Sequence, residues 1–83
     1  MLVRYFGAAQ AAAGTAEEHL DLDGATLDDV IAALQDRYGR TPAAMGKVLA
    51  RSSFLLNEVA LRDRSRALER SDVLDILPPF AGG

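Results

Sequence analysis

Twelve residues, LDDVIAALQDRY at 27–38, do most to limit what this chain can fold into. Apolar residues recur at Leu27, Val30, Ile31, Leu34 and Tyr38, a stripe of helical period on one face. Thr26 stands in front as an N-cap, and Asp28 and Asp29 fall in the first turn, where the helix dipole favours acids. Arg37 occupies the last turn and Gly39 follows as a stop. An amphipathic helix must bury its stripe, and the flanking apolar runs read mostly as short strands. The expected architecture is therefore a small sheet laid on one main helix.

LVRYF, residues 2–6, is β-branched and aromatic and ends at Gly7, which predicts a strand buried on both faces. AAQAAAG, residues 8–14, predicts a short helix closed by Gly14. EEHLDLDG, residues 17–24, alternates around Leu20 and Leu22 and closes on Asp23-Gly24, as a half-exposed strand would. Thr41-Pro42 offers an N-cap with proline at the first helical position, leading into Met45, Val48 and Leu49. FLLNEVAL, residues 54–61, holds two apolar runs broken at Asn57-Glu58, a hairpin signal weaker than Asn-Gly. VLDIL, residues 73–77, is the closing strand, and Pro78 ends it because proline has no N–H for a ladder. The order β-(α)-β-α-(α)-β-β-β predicts an α+β roll in one domain, residues 1–77, with residues 78–83 as a flexible tail. No internal repeat is present.

Composition removes several functional classes. Among 83 residues there is no cysteine, which excludes a disulfide scaffold, a thiolate metal site and a cysteine nucleophile. MLVRYFGAAQ lacks the pattern of a secretory signal, and no apolar run approaches the roughly 20 residues that span a bilayer. A cytoplasmic protein without membrane contact is expected. Residues 1–36 carry seven acids against Arg4 alone, while residues 37–83 carry five acids and eight bases. Arg62, Arg64, Arg66 and Arg70 read as a solvated face, with an acidic protein partner as the alternative; the acidic total and sparse aromatics argue against nucleic acid.

Catalysis by the domain alone has little support. His19 is the only histidine and sits among charges, as an ordinary exposed histidine does. Glu17-Glu18 and Asp28-Asp29 are adjacent in sequence and so do not face each other across a helix or strand. Ser52-Ser53 has no base nearby in sequence, and there is no Gly-rich phosphate loop.

The segment LPPFAGG, residues 77–83, carries the strongest chemical signal. Leu77 precedes proline and is pushed extended, and Pro78-Pro79 favours polyproline II geometry. Six residues from Pro78 onward reach about 20 Å. Gly82 and Gly83 allow backbone into a slot too narrow for any Cβ. Two such glycines arise by chance in about one chain in two hundred, which does not explain the prolines before them. A carboxylate on Gly83 is ionised at neutral pH and stays a poor electrophile until activated.

With these residues in place, the chain resembles the MoaD/ThiS-type ubiquitin-like sulfur carriers over essentially its whole length. The strand at 2–6, the helix at 27–38, the hairpin at Asn57 and the closing strand into Leu77-Pro78-Pro79-Phe80-Ala81-Gly82-Gly83 carry the resemblance. The proline pair is most similar to the small, sulfur-carrying subunit of molybdopterin synthase. Ser71-Asp72 departs from the family's usual Gly-Asp before the last strand, and a serine there is expected to carry the cost of a positive φ that glycine avoids.

The resemblance implies a β-grasp roll, a mixed sheet of about five strands on one main helix with an extended C-terminal tail. It implies that an ATP-using activating enzyme adenylates Gly83, with Gly82 clearing its path, and that sulfur from a persulfide then leaves a thiocarboxylate. No bound cofactor is implied. The tail would enter a large-subunit active site and give its sulfur to a cyclic pyranopterin phosphate. The chain would act as a reagent, not as an enzyme on its own. Phe6, Leu77 and Phe80, with Val59, Pro78, Pro79 and Ala81, are the expected partner-binding residues. Thiolation of thiamine, cysteine or tRNA precursors remains open as the sulfur's destination. So do conjugation of Gly83 to lysines of other proteins and an inert interaction domain.

Overall fold

A computed structural model describes residues 1–22, 24–39 and 45–79. Among them are β1 (Leu2–Tyr5), α1 (Gly7–Ala13), β2 (Glu17–His19), α2 (Leu27–Tyr38), α3 (Met45–Arg51), β3 (Ser53–Leu56), β4 (Val59–Ala60) and β5 (Val73–Leu77). The five strands form one mixed sheet in the order β2-β1-β5-β3-β4. β1 and β5 are parallel in the middle, and every other pairing is antiparallel. This is the β-grasp architecture expected, with two short helices beside the main one.

α2 forms as its caps dictate. The Thr26 hydroxyl accepts from the Asp29 N–H at 3.2 Å, and the Asp29 carboxylate accepts from the Thr26 N–H at 3.0 Å. Its buried stripe is Leu27, Val30, Ile31 and Leu34. These pack with Val3, Tyr5, Leu74, Ile76, Phe54 and Leu56 from the helix-facing side of the sheet. Gly39 ends the helix for a reason other than left-handed geometry, since its φ is −66°. A Cβ there would collide with the Gln35 carbonyl oxygen.

Three local expectations are corrected. β1 is not buried on both faces: Val3 and Tyr5 are buried, whereas Leu2 and Arg4 are half-covered. β2 stops at His19, and Leu20 and Leu22 pack on the core from the loop beyond it. Ser71 is not at positive φ, so serine carries no backbone penalty there. The N-cap expected at Thr41-Pro42 lies outside the described residues, as does the tail from Phe80 to Gly83.

A second polar cluster locks α2 to the sheet. Glu18, opposite Val3 in the β1–β2 register, points to the helix side and accepts from the Tyr5 hydroxyl at 2.5 Å and the Tyr38 hydroxyl at 2.7 Å. Arg37 lies 3.4 Å from its other oxygen, and the two tyrosine rings meet edge to face at 6.3 Å. Burial, then the Glu18 carboxylate, push both tyrosine hydroxyls above their ordinary pKa.

Candidate functional site

The root of the tail is set by the register of β5. Leu77 pairs with Ser53 on β3, and Tyr5 pairs with Ile76 on β1, so Phe6 stands beside Leu77. Phe6 is still extended, at φ −119° and ψ 153°, and its N–H donates to the Ile76 carbonyl at 3.3 Å. Gly7, at φ +50°, then turns the chain directly into α1.

Strand alternation sorts the side chains. Val3, Tyr5, Leu74, Ile76, Phe54 and Leu56 face the helices; Leu2, Arg4, Phe6, Val73, Asp75, Leu77 and Leu55 face the opposite way. At the centre of that outer face, Arg4 and Asp75 are register partners. The Arg4 guanidinium donates to both Asp75 oxygens, at 2.5 and 2.8 Å. Asp75 is buried beneath it, and this hydrogen bond, with the attraction of Asp75, Glu58 and Glu17, raises the Arg4 pKa further. The outer face thus sets Leu2, Leu55, Val73, Leu77 and Phe6 around one bidentate ion pair, with Glu17, His19 and Ser53 on the same side by register, and it runs up to the tail root.

Of the expected partner-binding residues, Phe6 is 41% exposed, Leu77 and Pro78 are half-buried, and Pro79 is exposed. Phe6 and Leu77 come together. Val59 is 68% exposed but does not join them, because it pairs with the helix-facing Leu56 at the far edge of the sheet. Phe80, Ala81, Gly82 and Gly83 lie outside the described residues. Arg4, Leu55 and the buried Asp75 are residues of that face that sequence reasoning missed. The signal was Asp75 itself, a lone acid between inward-facing Leu74 and Ile76 in VLDIL.

The start of β5 holds a different polar network. Asp72, buried, accepts from the Glu69 N–H at 2.7 Å and the Asn57 side-chain amide at 2.9 Å. The Asn57 side-chain oxygen in turn accepts from the Val73 N–H at 2.9 Å. The Glu69 amide, then the Asn57 amide, hold the Asp72 carboxyl below its ordinary pKa. Nearby, Arg4, Asn57, Glu58 and Val73 line an open groove of about 290 Å³. It sits at the opposite end of β5 from the tail and brings no reactive group together. Among the described residues no cluster of His, Cys, Asp or Glu could hold a metal ion, and no helix is long and apolar enough to cross a membrane.

Arg62, Arg64, Arg66 and Arg70 are exposed, as expected of a solvated face. The stretch is not loose. Arg64 Nε lies 2.6 Å from Asp28, its carbonyl accepts from the Asp28 N–H, and Ala67 bridges Thr26.

The ThiS family model matches residues 3–83. No curated protein matches the sequence. Among solved structures, SAMP1 from Haloferax volcanii is 26% identical, with a TM-score of 0.79, covering 100% of this chain and 98% of that one. The small archaeal modifier protein 1 of Methanosarcina acetivorans is 30% identical, with a TM-score of 0.74, covering 99% and 94%. A complex of subunits 1 and 2 of the molybdopterin-converting factor from Helicobacter pylori shares the fold at 24% identity and a TM-score of 0.68, covering 99% and 96%. A family match that runs through Gly82-Gly83, on a β-grasp sheet whose central strand leads into them, places this chain in the ThiS family, among the MoaD/ThiS-type ubiquitin-like sulfur carriers.

Proposed function

We propose that this chain is the sulfur-donating small subunit of a molybdopterin synthase, working in the cytoplasm. The family match over residues 3–83, which takes in the glycine pair, supports a sulfur carrier, and the Pro78-Pro79 pair before it favours the molybdopterin synthase subunit. An activating enzyme joins the Gly83 carboxylate to the α-phosphorus of ATP, expelling pyrophosphate. The acyl-adenylate carbon is then an electrophile. The outer sulfur of a donor persulfide attacks it, a C–S bond forms and AMP leaves. A second thiol cleaves the resulting acyl disulfide, forming a disulfide with the donor sulfur and leaving a thiocarboxylate. That sulfur anion is a strong nucleophile near neutral pH. Gly82 and Gly83 carry it into a narrow active site on the large subunit, where it attacks a cyclic pyranopterin phosphate. The acid-base groups belong to the partner.

Docking falls to the outer face of the sheet. Phe6, Leu77 and Leu55 supply apolar area around the Arg4–Asp75 pair, and Pro78-Pro79 stiffens the root of the arm. The Helicobacter protein was solved as a complex of subunits 1 and 2, which supports a large-subunit partner here.

A second reading has its own observation: two of the matched structures, at 26% and 30% identity, are small archaeal modifier proteins. In that reading the same activated Gly83 forms amide bonds to lysines of target proteins. Intact mass of the protein isolated from its own cells separates the two. A gain equal to exchanging one oxygen for one sulfur supports the carrier, high-mass lysine conjugates support the modifier, and an unmodified chain under conditions of active cofactor synthesis overturns both.

A further inference from the structure

The tail root at Leu77 emerges between two short helices. On the β1 side the Phe6 N–H donates to the Ile76 carbonyl at 3.3 Å, and α1 begins at the next residue. On the β3 side Ser53 is the register partner of Leu77, and Ser52 alone separates it from the end of α3 at Arg51. The Ser52 hydroxyl donates to the Val48 carbonyl at 2.8 Å, which fixes that junction. α1 and α3 pack on each other. α3 buries Met45 and Leu49 and leaves Lys47, Ala50 and Arg51 exposed. Lys47 and Arg51 are one turn apart on that face, and its Arg51 end adjoins the root.

The charges here differ from those elsewhere. Residues 6–14, 45–56 and 76–79, which bound the root, contain no aspartate or glutamate, and Lys47 and Arg51 are their only charged side chains. All twelve acids, with seven arginines, lie outside these segments. There Arg4 is answered by Asp75, Arg37 by Glu18 and Arg64 by Asp28. Among the described residues no hydrogen bond or ion pair takes up Lys47 or Arg51. α3 meets α2 where Gly46 lies against the Gln35 side chain, and the exposed Asp36 that follows pairs with neither cation. Helix stability accounts for Arg51, whose charge in the last turn suits the dipole. It does not account for Lys47, which sits in the first turn, where a cation is disfavoured. A protein of net charge −3 thus carries a small cationic flank beside its tail root.

We propose that Lys47 and Arg51 form a second contact with the molybdopterin synthase large subunit, in which acidic side chains beside the slot that takes the tail lie against α3. The inference rests on the small-subunit reading above and adds to it the sign of the partner's surface. A basic partner surface would meet these cations with like charge, and an apolar one would strip their water without return. As exposed rim charges they act on encounter more than on residence. The acidic remainder of the chain repels the same partner surface, so the attraction orients the approach with the tail root leading. Its range is about 30 Å at 0.01 M salt and about 8 Å at 0.15 M.

The test is the association rate of the full chain with the large subunit of the same organism, followed by stopped-flow fluorescence at about 20 mM and about 500 mM salt. Lys47→Glu and Arg51→Glu should each slow association roughly three- to ten-fold at low salt, with dissociation nearly unchanged, and the gap should close at high salt. Arg66→Glu makes the same charge change near Asp72, at the start of β5, and should slow association by less than about two-fold. All three positions are exposed, so the urea midpoints should hold. Association that neither α3 variant slows, that either one speeds, or that Arg66→Glu slows as much overturns the inference and leaves the small-subunit reading standing. A parent chain that does not bind the large subunit overturns that reading and the inference with it.

Discussion

Replacing Asp72 with asparagine should remove a large share of this domain's stability while changing almost nothing in its shape. The Asp72 carboxylate accepts from the Glu69 backbone and the Asn57 side chain, and Asn57 accepts from Val73. That closed loop ties the β3–β4 turn to the start of the central strand. An asparagine at this site keeps one acceptor but turns a donor toward a donor, so one charge-assisted bond is lost and a buried amide is stranded. Such a change costs about 2–4 kcal/mol, against a total of about 4–12 kcal/mol for a chain of this size. The melting temperature should fall by roughly 10–20 °C. The pH dependence gives a sharper check. The folded Asp72 pKa lies below its ordinary 3.8, so its contribution is present above that value and is lost as pH falls through the folded pKa. Urea unfolding at pH 7 and pH 3 should show the gap between parent and Asp72→Asn narrowing in acid. A gap under about 0.5 kcal/mol at pH 7, within the range of an ordinary surface change, or one equal at both pH values, would refute the reasoning.

Glu58→Gly should raise stability by about 0.5–1 kcal/mol in urea unfolding, because Glu58 sits at φ 69° beside Asn57 at φ 50° and glycine relieves that strain. Glu18→Ala should cost about 2–3 kcal/mol, since it strands the buried Tyr5 hydroxyl. The parent should also lose stability as pH rises past 10.0, the ordinary tyrosine value, because both hydroxyls are held above it when folded; the variant should lose less. Phe6→Asp should weaken binding to a molybdopterin synthase large subunit by about 2 kcal/mol in calorimetry. Its urea midpoint should barely move, because the ring is 41% exposed; unfolding instead would place Phe6 in the core.

Much of this fold was legible because its elements obey local rules. α2 runs from Leu27 to Tyr38 as its cap and stripe demand, and β5 is VLDIL with Pro78 as its stop. The Asn57-Glu58 hairpin was legible too, although neither residue is glycine. What the sequence hid is mutual. Whether Leu2 and Arg4 are buried depends on which strand lies alongside, and their neighbour, β5, is some seventy residues away. Asp75 reads as one more charge until Arg4 is set against it. Val59 reads as a companion of Phe6 until the register puts it on the other face. The end of β2 was missed because Leu20 and Leu22 pack on the core without belonging to the ladder.

The tail leaves the globule from the middle strand of the sheet. Any partner that draws on Gly83 pulls along the axis of β5, which is hydrogen-bonded to β1 on one side and to β3 on the other. Force in that direction cannot open the ladders one bond at a time, as it would at a sheet edge. It must slide two full sets of bonds at once. The root of the tail is thus anchored in shear, with the load on β5 carried by both ladders together.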